Sequence, residues 1–344
     1  IRSVWLDALC ADLAALRKRG ADVVVVSSGA IAVGRHRLGL ARATLRLEEK
    51  QAAAAAGQIR LAHAWEEALA HFETTVAQVL LTFADTEERR RHLNARSTIE
   101  TLLHLGAIPV INENDTVATE EIRFGDNDRL AARVAQMISA DLLVLLSDID
   151  GLYTTDPGRD KKAQFVSNVA EISPEVEAMA GQAGPGYSSG GMITKLEAAK
   201  IVQASGCAMI IADGKPQHAL QELAKGARCT WFATWAEPRT ARKRWIASSV
   251  AASGAIVVDD GAVRALGRGK SLLPAGVIAV EGDFERGDTV VVRDAKGRTL
   301  GRGLVAYAAV DARRILGHKS REIEALLGYR GRDEMVHRND LVLD

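Results

Sequence analysis

Along the first 230 or so residues, short apolar runs alternate with longer stretches of helical period. Residues 23–26, 76–81, 108–111, 142–146 and 209–211 are rich in Val, Ile and Leu and predict buried strands. Residues 48–72, 85–105 and 192–204 carry apolar side chains every three or four positions and predict helices. The alternation predicts an α/β fold, an open and mainly parallel sheet sandwiched by helices. The run 52–56 is alanine-rich helix, which suits close packing rather than chemistry. Arg89, Arg90 and Arg91 suit a solvated helix face, with nucleic-acid contact as the alternative. Val4, Leu6, Leu9, Leu13 and Leu16 already follow a helical period, and the chain opens with Ile1. Since α/β domains commonly begin with a strand, a further N-terminal segment is expected before it.

The texture changes after Ala233. A polar connector runs from Trp235 to Trp245 and contains Pro238 and the basic run Arg242-Lys243-Arg244. Beyond it, β-patterned pieces at 255–258, 277–280, 288–293 and 299–306 are separated by Gly287-Asp288, Lys296-Gly297 and Arg302-Gly303, which are expected to turn the chain. The expected organisation is a first domain over 1–234, a linker over 235–250 and a small β-rich domain over 251–344.

Composition agrees with two domains in 344 residues, 47% hydrophobic and 4% aromatic. From Arg239 onward 19 basic residues face 14 acidic ones, and the remainder has 25 against 30, so the mild +5 and −5 halves do not mark a nucleic-acid binder. Cys10, Cys207 and Cys229 form no CxxC pair, which points to a reducing, cytoplasmic setting. The eight histidines show no metal-binding spacing. No apolar run is long enough to cross a bilayer.

Candidate chemistry gathers where the predicted strands end. The 108–111 strand stops in Asn112, Glu113, Asn114 and Asp115. A second polar knot, Gly125-Asp126-Asn127-Asp128, opens a helix with apolar residues at Leu130, Val134, Met137 and Ile138. Polar residues just past buried strands line the crevice where α/β proteins bind ligands. The carboxylates (Asp115, Asp126, Asp128) alternate with amides (Asn112, Asn114, Asn127). A free amino acid needs that mixture, with acceptors for its ammonium and donors for its carboxylate. A capped, solvated loop explains the same residues equally well.

Three more segments follow the rule. Residues 26–31, VSSGAI, pass from strand through a glycine turn into a helix, which favours an anion or is a routine turn. Residues 145–157, LLSDIDGLYTTDP, leave another strand through an Asp/Gly turn. Residues 184–195, GPGYSSGGMITK, form a Gly/Ser loop running into a helix with Lys195 in its first turn. A cation there is unfavourable unless an anion joins it, so the segment reads as a phosphate cradle, with a plain surface loop as the alternative. It is not a Walker A motif, because Met192 and Ile193 follow Gly191. Three strand ends converging with a glycine/lysine loop make the layout of a phosphoryl-transfer site.

Taken in order, these segments resemble the glutamate 5-kinase family over essentially the whole chain. The resemblance rests on VVVVSSGAIAVGR (23–35), QVLLT (78–82), LNAR (93–96), PVINENDTVATEEIRFGDND (109–128), LLSDIDGLYTTDP (145–157), SGGMITK (189–195), RKRWI (242–246), SLLPAG (271–276) and VHRNDLVL (336–343). It implies an amino-acid-kinase domain followed by a PUA domain. It also implies transfer of the ATP γ-phosphoryl group, with Mg²⁺, to the side-chain carboxylate of L-glutamate, the first step of proline synthesis. Ser28, Asp115 and Asn127 resemble the glutamate-binding set. Ser147 and Asp148 resemble nucleotide contacts, as do Ser189, Gly190, Gly191, Met192, Ile193, Thr194 and Lys195. Lys195 resembles a catalytic lysine, and Asp128 the acid that organises such lysines.

Proline as feedback inhibitor and assembly into dimers or tetramers are further implications. Two departures stand out. Ser188 and Ser189 stand where the family usually has Gly and Thr, and the family pattern has a further N-terminal strand, with a glycine turn and a second catalytic lysine, ahead of the part that matches from Ile1. A kinase acting on another acceptor is the near alternative. An RNA-binding protein acting through the PUA-like domain is the alternative of a different class.

Overall fold

The computed structural model describes residues 1–40, 44–118, 127–181, 191–234 and 252–343. It divides into two compact units, Ile1–Glu237 and Pro238–Asp344. The expected linker, 235–250, lies outside the described residues.

In the first unit the order is α1 (Ser3–Lys18), β1 (Val25–Val26), α2 (Ala30–Arg37), α3 (Leu47–Ala70), β2 (Val76–Leu81), α4 (Phe83–Glu87), α5 (Arg89–His104), β3 (Ile108–Glu113), α6 (Asn127–Ile138) and β4 (Leu142–Ser147). A short ribbon, β5 (Leu152–Tyr153) and β6 (Phe165–Val166), precedes β7 (Asn168–Val169), α7 (Pro174–Met179), α8 (Met192–Ala204), β8 (Ala208–Asp213), α9 (Ala219–Ala224) and β9 (Cys229–Phe232).

The expected parallel sheet is present in two ladders. In one, β1 and β2 both run parallel to the central β3, whose residues Ile108 to Asn112 are buried, pairing Val25 with Val110 and Val76 with Ile108. In the other, β4 and β8 run parallel from Leu142↔Ala208 to Ser147↔Asp213, while β9 is antiparallel to β8 and parallel to β7. The ladders adjoin through their cores. Val26 packs into the cluster built on Leu145, Ala131 and Met209, and Leu146 into the one built on Val23 and Ile108. The carboxyl ends of β1, β3, β4 and β8 therefore form one rim, the edge where ligands bind in open α/β sheets.

The helix expected over 85–105 is two helices. Glu88 adopts extended geometry (φ −71°, ψ 117°), and its carboxylate accepts from the Arg90 and Arg91 amides, so it ends α4 and caps α5. Arg90 and Arg91 are exposed, as expected of a solvated face.

The alanine-rich run packs as expected. Ala53 and Ala54 are buried where α3 meets α2, and a Cβ on Gly34 would lie 1.7 Å from the Ala53 carbonyl oxygen. A Cβ on Gly57 would lie 1.8 Å from that of Ala30. The obstacle is backbone, which cannot rotate away. We expect Gly57→Ala to cost about 2–4 kcal/mol and to lower Tm correspondingly in thermal denaturation.

The second unit holds the five-stranded sheet β11-β10-β12-β13-β14, made of β10 (Gly254–Val258), β11 (Val277–Gly282), β12 (Thr289–Asp294), β13 (Thr299–Leu304) and β14 (Leu341–Leu343). Helices α10 (Asp260–Gly267), α11 (Ala309–Ile315) and α12 (Ile323–Leu327) complete it. Its core gathers Ile256, Val258, Val290, Val292, Ala312 and Ile315. Arg302-Gly303, expected as a turn, lies inside β13 instead. Glycine is needed there because a Cβ would meet Val336 Cγ1 at 2.6 Å.

Candidate active site

The site is built around the N-terminus of α6. Leu130, Val134 and Met137 are buried, which fixes the helix and points its first residues at the strand ends. Asn127 Nδ2 donates to the Ser27 carbonyl at 2.7 Å and to Asn112 Oδ1 at 3.1 Å, and Asn112 Nδ2 donates to Gln58 Oε1 at 2.6 Å. Ser27 Oγ in turn accepts from Trp65 Nε1 at 3.0 Å. An unbroken polar chain thus runs from α3 through the end of β3 to α6. Buried polar groups are expected to be satisfied in this way.

One residue further along α6, Asp128 Oδ2 accepts from Lys195 Nζ at 2.9 Å and from Thr194 Oγ1 at 2.9 Å. Lys195 is 7% exposed. Small residues bring its helix so close: Ala131, Ala132 and Ala135 of α6 pack with Leu196, Ala198 and Ala199 of α8. Gly191, in extended geometry, precedes the first turn of α8, so Lys195 sits where the helix end already carries positive partial charge. The Asp128 carboxylate offsets that cation.

At the ends of β4 and β8, Ser147 Oγ donates to Asp148 Oδ1 at 3.2 Å. The Gly214 amide donates to the Ser147 carbonyl at 2.7 Å, and Trp5 Nε1 of α1 donates to the Gly214 carbonyl at 2.7 Å. Lys215 Nζ donates to the Asp148 carbonyl. This half of the rim combines a hydroxyl, a carboxylate and an exposed ammonium.

Asp115 lies in the turn after β3, and burial pushes its carboxyl up to about 6. The turn is held from α3 as well, since Gln51 Nε2 donates to the Ala118 carbonyl at 3.0 Å. A carboxylate kept partly dry is costly alone and favours a cationic partner.

Most of the residues singled out from the sequence lie on this rim. Asp128, Thr194 and Lys195 form a bonded cluster, Asn127 bonds Ser27 and Asn112 instead, and Ser147 touches Asp148. Ser28 is exposed in the β1–α2 turn, while its neighbour Ser27 makes the buried contacts. Met192 is half-buried and its side chain packs into the core behind α8. Asp126, Ser188, Ser189 and Gly190 lie outside the described residues.

Gln58, Trp65 and Lys215 were not foreseen. Lys215 was within reach, because Asp213-Gly214-Lys215 leaves a predicted strand as Asp115 and Asp148 do. Gln58 and Trp65 carry no such mark, being polar positions inside a helix.

Among the described residues no group of three or more His, Cys, Asp or Glu side chains gathers to hold a metal, and no helix is long and apolar enough to cross a membrane.

Residues 2–213 match the amino acid kinase family and residues 254–327 match the PUA domain. A glutamate 5-kinase of Paramagnetospirillum magneticum is 64% identical over 344 residues, spanning all of this chain and 93% of that protein. Glutamate 5-kinases of Rhizobium etli and Rhodospirillum rubrum are 61% and 60% identical, each over all of this chain and over 88% and 92% of their own lengths. The chain belongs to the amino acid kinase family, with the glutamate 5-kinases as its relatives.

Proposed function

We propose that this protein transfers the γ-phosphoryl group of ATP to the side-chain carboxylate of L-glutamate, forming γ-glutamyl phosphate for proline synthesis. The full-length similarity to glutamate 5-kinases supports the reaction. The observation that carries the chemistry is the Asp128–Lys195 contact. It ties the helix that begins in the amide chain to the helix that follows the Gly/Ser-rich sequence. The mixed carboxylate and amide half would receive the amino acid, with Ser28, Asp115 and Asn127 as its contacts. Ser147, Asp148 and the segment ending in Lys195 would receive the nucleotide.

The acceptor carboxylate is ionised near neutral pH, so no general base is needed. Its attack on the γ-phosphorus forms one O–P bond as the bond to the ADP oxygen breaks. The protein's part is alignment and charge compensation. Lys195 supplies an ammonium to the transferring group, and Asp128 holds that ammonium in place without taking a proton. Mg²⁺ would enter as a companion of the triphosphate, a role that needs few protein ligands, and would neutralise phosphate charge.

Three free cysteines support a reducing, cytoplasmic setting. The same reading includes proline as feedback inhibitor and a homo-oligomeric assembly.

The test is an acceptor panel on the full-length enzyme. ADP release with ATP and Mg²⁺ is expected with L-glutamate and near background with aspartate or N-acetylglutamate. Preference for either of those would reassign the acceptor within the family.

A further inference from the structure

Helix α3 meets the acceptor half of the rim at three places two turns apart along one face. Gln51 holds the Ala118 carbonyl behind Asp115, Gln58 accepts from Asn112, and Trp65 donates to Ser27 Oγ. The middle contact also has a direction. The Ser27 carbonyl can only accept, so Asn127 must turn its Nδ2 towards it. That same Nδ2 meets Asn112 Oδ1, which obliges Asn112 to turn its own Nδ2 to Gln58 Oε1. Asn112 is 3% exposed and Gln58 9%, so neither amide has water as a ready substitute. What Asn127 has left for a ligand is its carbonyl oxygen.

We propose that Gln58 is a positioning residue that anchors the far end of the Asn112–Asn127 amide chain, so that Asn127 is held to offer an acceptor to a free α-ammonium and the site prefers amino acids over dicarboxylates lacking one. The proposal rests on the amino-acid reading of this half-site given above. Without an acceptor at position 58, the buried Asn112 Nδ2 loses its partner, and Asn112 is no longer held where its Oδ1 meets Asn127. Asn127 would then rest on the Ser27 carbonyl alone, and its own carbonyl oxygen would be held less firmly towards the ligand.

The test uses Gln58→Met, which keeps the volume and removes the acceptor, beside Gln58→Glu, which keeps an acceptor oxygen. Binding of L-glutamate and of glutarate, which lacks the ammonium, is measured by calorimetry on the full-length enzyme, with steady-state kinetics in parallel.

In Gln58→Met the glutamate Kd and KM should rise about tenfold, as for one lost partner of a buried hydrogen bond. Glutarate binding, the KM for ATP and kcat should stay within about twofold. Gln58→Glu should keep most of the preference. Equal weakening of both ligands would make Gln58 a general support of the cleft and overturn the proposal, as would an unchanged preference in Gln58→Met. Loss of the preference in Gln58→Glu would also count against it. If the unaltered enzyme shows no preference for glutamate over glutarate, the amino-acid reading of the site fails, and this proposal with it. A preference present in the unaltered enzyme and kept by Gln58→Met sinks the Gln58 assignment alone.

Discussion

Replacing Asp128 by asparagine is expected to lower kcat by about 10²–10³-fold while leaving the protein folded. One carboxylate oxygen accepts from both Thr194 Oγ1 and Lys195 Nζ, each at 2.9 Å. Asparagine keeps an oxygen that can accept but loses the charge that holds an ammonium beside a helix N-terminus. Lys195, largely buried, then loses the carboxylate beside it, and its ammonium shifts away or turns to another acceptor. Either response removes positive charge from the place where the phosphoryl group is transferred.

The packing of α6 on α8 through alanines does not depend on that charge, so circular dichroism should match the unaltered enzyme and Tm should fall by no more than a few degrees. Because the two residues act as a unit, Asp128→Asn combined with Lys195→Met should be hardly worse than Lys195→Met alone. Near-normal kcat in Asp128→Asn would remove its assigned role, and fully additive losses would separate the two residues.

Asp115→Asn should act in the opposite sense on stability and on binding. Burial holds the Asp115 carboxyl at about 6, above its ordinary value near 4. A carboxyl raised by folding favours the folded state when protonated. That contribution is complete below about pH 4 and is lost as pH rises through about 6. At neutral pH the ionised group is therefore a burden of about 1–2 kcal/mol, reduced from the full-burial figure because the side chain is only partly buried. Asparagine removes the burden, so Tm at pH 7.5 should rise by a few degrees, and the gain should vanish near pH 4.

The same substitution takes away the charge that would meet the α-ammonium, and the KM for glutamate should rise about 10²-fold with the KM for ATP unchanged. In the unaltered enzyme, KM for glutamate should climb as pH falls below about 6. An unchanged glutamate KM in Asp115→Asn would rule the contact out, and a lower Tm at neutral pH would contradict the burial argument.

What the sequence disclosed and what it withheld have physical causes. The strand run 108–111 is apolar because both faces of the sheet are covered there, whereas in 142–146 only Leu145 is buried and Leu142 is exposed; the apolar runs still made strands and strand ends legible. The polar residues at those ends could be located, including Asp115, Asp128 and Ser147. Lys195 stood out because a cation in a helix's first turn calls for a partner, and Asp128 supplies one.

The break at Glu88 was hidden because its neighbours keep a helical period on both sides. The strand position of Gly303 was hidden because glycine marks a turn and a close approach alike. Gln58 and Trp65 were beyond reach for another reason. Their partners, Asn112 and Ser27, are distant in sequence, and only the packing of α3 against α2 at Gly34 and Gly57 brings them together.

The central claim is that an acyl phosphate forms on the side chain of glutamate. The most direct measurement adds hydroxylamine to the full-length enzyme with ATP, Mg²⁺ and L-glutamate, and compares the γ-glutamyl hydroxamate formed with the ADP released. The account predicts hydroxamate in step with ADP, dependent on both substrates and nearly abolished by Asp128→Asn. ADP release without hydroxamate, or hydroxamate formed equally well by Asp128→Asn, would contradict it.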